Sequence, residues 1–202
     1  PLGEMFTSLT DDYSGMQLLL TPDRSLVLVS DMVGDHAMIV LDENGKRVSL
    51  LGTPFDSSCF MPGAFTEKWA LSPDGKTAAC LSMIGFVAGW DTASGEMLYL
   101  DALEDYDSSS SLSAIAFSSD SARMAYAAAS RLYIVNARTL EWTLQAGIDD
   151  TVFVPSLAFT EDGNYLLMAN QSAFVINTGT WAAELILYAE SGAQYNNIVP
   201  LQ

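Results

Sequence analysis

The chain has 202 residues, half of them apolar, enough for a sizeable core in one domain or a short repeat array. Eight Lys plus Arg stand against 25 Asp plus Glu, a formal charge of −17. Nucleic acid and anionic membranes reward clustered cations, so neither is expected as a partner; a basic partner suits this charge, and so does plain solubility.

In chain order, residues 1–15 read as an orphan outer strand, because Gly3-Glu4-Met5-Phe6 parallels Gly95-Glu96-Met97-Leu98 further on. A repeat then runs through 16–52: Leu18-Leu19-Leu20, the turn Thr21-Pro22-Asp23-Arg24, Leu26 to Val29, Met38 to Leu41, the Asn44-Gly45 turn, and Val48 to Leu51. A second occupies 67–103, with Trp69 to Leu71, the turn Ser72-Pro73-Asp74-Gly75, Thr77 to Leu81, Phe86 to Trp90, a turn opened by Asp91, and Met97 to Leu100. The third, 112–147, has Ala114 to Phe117, the turn Ser118-Ser119-Asp120-Ser121, Arg123 to Ala128, Leu132 to Val135, a turn opened by Asn136, and a strand around Trp142. The fourth, 154–188, has Leu157 to Phe159, the turn Thr160-Glu161-Asp162-Gly163, Tyr165 to Met168, Phe174 to Ile176, the Asn177-Thr178-Gly179 turn, and Ala183 to Leu187; residues 189–202 are a polar tail.

Successive turn aspartates lie 51, 46 and 42 residues apart, and each stands 19, 17, 16 and 15 residues before the Asp or Asn that ends its apolar run. A period of this length built only of short strands is the signature of a β-propeller. Pro presets φ, the Asx side chain accepts a local backbone hydrogen bond, and Gly tolerates positive φ. The second and third strands of each repeat are apolar on both faces, so both need cover, which neighbouring blades supply. The expected fold is therefore all-β, a propeller of four four-stranded blades.

These residues resemble the WD-repeat and Pro-Asp-repeat (Tol-like) propeller superfamily over residues 16–188. Trp90-Asp91 with Ser72-Pro73-Asp74-Gly75 is similar to a WD repeat, and the first repeat is closer to a Pro-Asp repeat. With no Gly-His pair and a single histidine, His36, the His-Ser-Asp-Trp tetrad of WD repeats has no counterpart. The resemblance implies six to eight blades in the finished ring.

An open array of four exposes two end faces, each with about five large apolar side chains at about 1.5–3 kcal/mol apiece. That is on the order of 10 kcal/mol per face, comparable to the whole stability of a domain. A half-propeller completed by another segment or a second copy is expected, with a compact four-blade ring as the alternative.

Cys80 lies in an apolar strand and Cys59 in a loop; they form no Cys-x-x-Cys pattern, and a single bridge between them, and with it the redox compartment, stays open. The chain starts Pro1-Leu2-Gly3-Glu4 without a basic or long apolar leader, as a processed or excised chain would. Thr77 to Trp90 is too short to span a bilayer, and asparagines interrupt Gly163 to Ala183, so no membrane insertion is expected.

Long connections between blades run from Gly52 to Thr66, Asp101 to Ser111 and Ala146 to Pro155. They hold acids and aromatics and no basic residue, which makes a partner-binding rim of Asp56, Phe60, Glu104, Asp105, Tyr106, Asp107, Asp149 and Asp150. His36 beside Asp31 and Asp35 is a poor metal signal and reads as part of a hairpin; the four tryptophans read as blade packing. No phosphate-binding loop, dinucleotide fingerprint, His-Glu-x-x-His or nucleophile elbow is present, so no catalytic, cofactor or metal residue is expected. The expected function is a non-catalytic scaffold for a protein or peptide, with a segment of a larger peptidase or quinoprotein-type enzyme as the alternative.

Overall fold

A computed structural model of the chain describes residues 18–30, 36–52, 68–81, 85–103, 114–128, 131–147, 156–169 and 172–188. Among these, sixteen strands form four separate antiparallel sheets, each a meander in chain order, with no helix. Blade 1 comprises β1 (Leu18–Leu20), β2 (Leu26–Ser30), β3 (His36–Asp42) and β4 (Arg47–Gly52). Blade 2 comprises β5 (Lys68–Leu71), β6 (Thr77–Leu81), β7 (Phe86–Asp91) and β8 (Met97–Ala102). Blade 3 comprises β9 (Ala114–Phe117), β10 (Arg123–Ala128), β11 (Arg131–Asn136) and β12 (Trp142–Gly147). Blade 4 comprises β13 (Ser156–Phe159), β14 (Tyr165–Ala169), β15 (Ser172–Asn177) and β16 (Ala183–Tyr188). The proposed orphan strand and the tail lie outside the described residues.

The first strands of successive blades pack on one another, β1 on β5, β5 on β9 and β9 on β13, as inner strands around an axis would. Alternation of side chains then sends each middle strand into two different cores. In β6, Ala78 and Cys80 join a cluster with Met38, Val40 and Leu51 of blade 1, while Ala79 and Leu81 join Met124, Tyr126 and Val135 of blade 3. In β10 the same alternation turns Met124 and Tyr126 toward blade 2, and Ala125 and Ala127 toward Leu157, Phe159 and Leu166 of blade 4. Every residue of β6 is buried. That is why these strands carry no polar alternation.

The pairing of third and fourth strands is irregular in every blade, with register shifts at Val40/Leu41, Gly89/Trp90, Ile134/Val135 and Ala173/Phe174. Such bulges increase the local twist of an outer strand. At Gly89 the ring of Tyr99, its partner on the outer strand, occupies the place where a Cβ would stand. Tyr99 then reaches past it to donate its hydroxyl to the Ala137 carbonyl of blade 3 at 3.2 Å.

Two expectations need correction. Trp142 is 52 % exposed and does not serve blade packing, unlike Trp90 at 1 %. Asp101 belongs to β8, paired with Val87, and not to the following loop; an exposed outer strand tolerates a charge. His36 opens β3, the second strand of the β2–β3 hairpin, opposite Gly52, while Asp31 and Asp35 lie outside the described residues.

Candidate interaction surface

Two turns per blade end the sheets on one face, and their carboxylates and hydroxyls are engaged locally. Ser72 donates its hydroxyl to Asp74 Oδ1 at 2.7 Å and accepts the Thr77 amide at 2.9 Å. Ser118 does the same with Asp120 and Arg123, and Thr160 with Asp162 and Tyr165. In blade 1, Thr21 accepts the Leu26 amide while Asp23 Oδ1 accepts both the amide and the hydroxyl of Ser25. The second turn repeats one device throughout: Asp42, Asp91, Asn136 and Asn177 each accept two backbone amides.

These bonds favour the charged carboxylate. The Ser25 amide, with the Thr21 and Ser25 hydroxyls, pulls Asp23 down to about 2. Asp120 and Asp162 are lowered chiefly by their hydroxyl partners Ser118 and Thr160, and Asp91 by the Ser94 amide and then Arg138. In Asp74 burial pushes upward, but the Lys76 amide, the Ser72 hydroxyl and Lys76 charge together outweigh it. This face is thus built of satisfied turns. The sequence marks its aspartates, but not the part played by the hydroxyl directly after each inner strand (Thr21, Ser72, Ser118 and Thr160), which closes every turn.

The proposed contact residues Asp56, Phe60, Glu104, Asp105, Tyr106, Asp107, Asp149 and Asp150 all lie outside the described residues. What is described is the root from which the 104–113 connection leaves. There a cavity of about 60 Å³ opens between blades 2 and 3, lined by Asp101, Ala102, Leu103, Tyr126, Arg131, Tyr133 and Trp142. Its floor is an aromatic ladder across blade 3. Tyr126 and Tyr133 stack with centroids 4.7 Å apart, and Tyr133 meets Trp142 edge-on at 6.0 Å. Burial, followed by Tyr133 and the Asp101 carboxylate, pushes the Tyr126 phenol well above its ordinary range. Leu103 anchors the departing chain through its amide to the Gly85 carbonyl at 2.8 Å. The pairing was latent in the sequence, since Tyr126 and Tyr133 stand equally far from the 128–131 connection, a spacing that makes them cross-strand partners.

No group of three or more His, Cys, Asp or Glu suited to a metal occurs among the described residues. No helix among them is long and apolar enough to cross a membrane.

No family model matches the chain, and no curated protein does. Among solved structures, the crystal structure of the RRP9 WD40 repeats matches with a TM-score of 0.64 at 17 % identity, over 86 % of this chain and 51 % of that one. The fold is that of a WD40-like β-propeller. This chain spans about half the length of that structure. Within the shared architecture its tryptophan is held differently from the WD tetrad: Trp90 donates its indole N–H to the Gly52 carbonyl of blade 1 at 3.1 Å and stacks on Trp69 at 5.0 Å.

Proposed function

We propose that this chain is a non-catalytic interaction scaffold that binds a protein or peptide through its acidic connections, with Asp56, Phe60, Glu104, Asp105, Tyr106, Asp107, Asp149 and Asp150 as contacts. The observation that carries the reading is the cleft at the base of the 104–113 connection. It combines a half-exposed indole, Trp142, with the exposed residue Asp101, and Arg131 shares the same lining. An exposed aromatic beside an acid suits the aliphatic stem and charged head of a Lys or Arg side chain. The acids that follow in sequence at 104, 105 and 107 carry the same charge, and complementary charge acts mainly on encounter rate and specificity. The likeness to WD40 repeats agrees with a scaffold role.

The test is a calorimetric titration of the whole chain with a Lys/Arg-rich peptide and with its Glu-substituted counterpart. Binding of the basic peptide alone, weakened by salt, is the expected result. Trp142→Ala should weaken it about tenfold, as should the combined Glu104→Gln, Asp105→Asn and Asp107→Asn. Equal binding of both peptides, or binding unchanged by either variant, would overturn the proposal.

A further inference from the structure

The three boundaries between blades bring equivalent turn positions together, through different atoms. At each, the residue in left-handed conformation in the first turn of one blade seats on the first turn of the blade before it. A Cβ on Gly75, at φ 70°, would meet Thr21 Cγ2 and Leu26 Cδ1 of blade 1 at 3.0 Å. The Asp74 amide of blade 2 donates to the hydroxyl of Ser121, at φ 60°, at 3.0 Å. Arg123 of blade 3 donates to the carbonyl of Gly163, at φ 68°, at 2.9 Å, and a Cβ on Gly163 would lie 3.8 Å from Ser119 Oγ.

The receiving positions are therefore Thr21 and Leu26, Asp74, and Ser119 and Arg123. Aligned on the repeat, their equivalents in blade 4 are Thr160, Tyr165, Asp162 and Glu161. Those four residues line an open hollow. Tyr165 is 41 % exposed there, and Glu161 and Asp162 give it a negative charge. It is a socket of the same construction as the three already filled.

The remaining left-handed residue of this series is Arg24 of blade 1, at φ 60° and exposed. It is also the only one of the four that carries a positive charge. Around it β1 shows Leu18 and Leu20, 43 % and 48 % exposed, and among the described residues no buried cluster joins blade 4 to blade 1. Arg24 and the blade 4 socket are thus complementary in charge and in their place within the repeat.

We infer that a second copy of this chain completes the ring head to tail, with its Arg24 seated against Thr160, Glu161, Asp162 and Tyr165, and the reciprocal contact closing the other seam. Eight blades result, within the range that propellers occupy. The ring is then about twice the length of this chain, in keeping with the roughly half coverage of the matched propeller. The contact is heterologous and closes by two-fold repetition.

The experiment is sedimentation equilibrium on the whole chain, with Arg24→Glu, Glu161→Arg and the two combined. The expected result is twice the chain mass for the unaltered protein, a dissociation constant at least tenfold weaker for each single reversal, and recovery to within a few-fold in the double. A chain-mass species at all concentrations, or a dimer indifferent to both reversals, overturns the inference. Should a reversal variant fail to fold, mixing an Arg24→Cys chain with a Glu161→Cys chain, both carrying Cys59→Ser, decides it. A disulfide-linked dimer supports the inference, and its absence, or a bridge formed within one chain carrying both cysteines, contradicts it.

Discussion

Four aspartates, at 23, 74, 120 and 162, each hold a turn by accepting the amide two residues on, and each is more acidic than a free carboxyl. The sign follows from linkage. A carboxyl whose folded value lies below its unfolded one contributes stability that is whole above the unfolded value of 3.8 and disappears as pH falls through the folded value, which for Asp23 is about 2. Thermal unfolding midpoints should therefore be level on the carboxylates' account above about pH 5 and fall between about pH 4 and pH 2. Asp23→Asn and Asp120→Asn together should make that acid fall shallower, and an unaltered slope would count against the turns as its source. At this scale the aspartates were legible because Pro-Asp-Gly and Asx chemistry is local. Arg24 and Ser121, held at φ 60° where Gly75 and Gly163 stand in the other blades, were not, since nothing local marks a left-handed Arg or Ser.

Each blade is a set of short strands whose ends are fixed by side chains more than by strand length. Ser118 is fully buried and holds two groups at once, the Arg123 amide and the Asp120 carboxylate. Ser118→Ala leaves a part-buried amide and the Asp120 carboxylate without their partner and should cost about 1–2 kcal/mol. By contrast Arg138 pairs with Asp91 across the blade 2–blade 3 boundary at 3.0 Å with 47 % of its side chain exposed. Such pairs contribute little, so Arg138→Ala should cost under about 1 kcal/mol. Urea unfolding of the two variants checks both values, and a larger loss for Arg138→Ala would mean that the ion pair, not the turn, holds the element. Strand positions were readable to within a residue or two because β-rich apolar runs sit between strong turn signals; the structure only lengthens them, as with Ser172–Asn177 for Phe174 to Ile176. Trp142 was misread because its place at the start of β12 resembles that of any strand tryptophan. Whether an outer strand turns a side chain to solvent depends on the bulge at Ile134/Val135, which is not encoded in composition.

For the molecule as a whole, the sequence carried the architecture through its period, and the apolarity of both faces of β6 and β10 already required neighbours on either side. The proposed interaction surface was less legible. Its acids lie in connections whose sequence sets charge but not geometry, and the cleft at their root is assembled from two blades, with Asp101 and Leu103 from one and Tyr126, Tyr133 and Trp142 from the next. No local pattern can announce a site of that kind. Blades cover one another, so that the middle strands of the interior blades are the best shielded backbone among the described residues. Hydrogen–deuterium exchange resolved along the sequence tests it most directly. The slowest amides should fall in four separate bands, 77–81, 86–91, 123–128 and 131–136, with β8 and β12 exchanging faster than the strands they flank. Protection spread evenly across these blades, or strongest in the outer strands, would contradict the account.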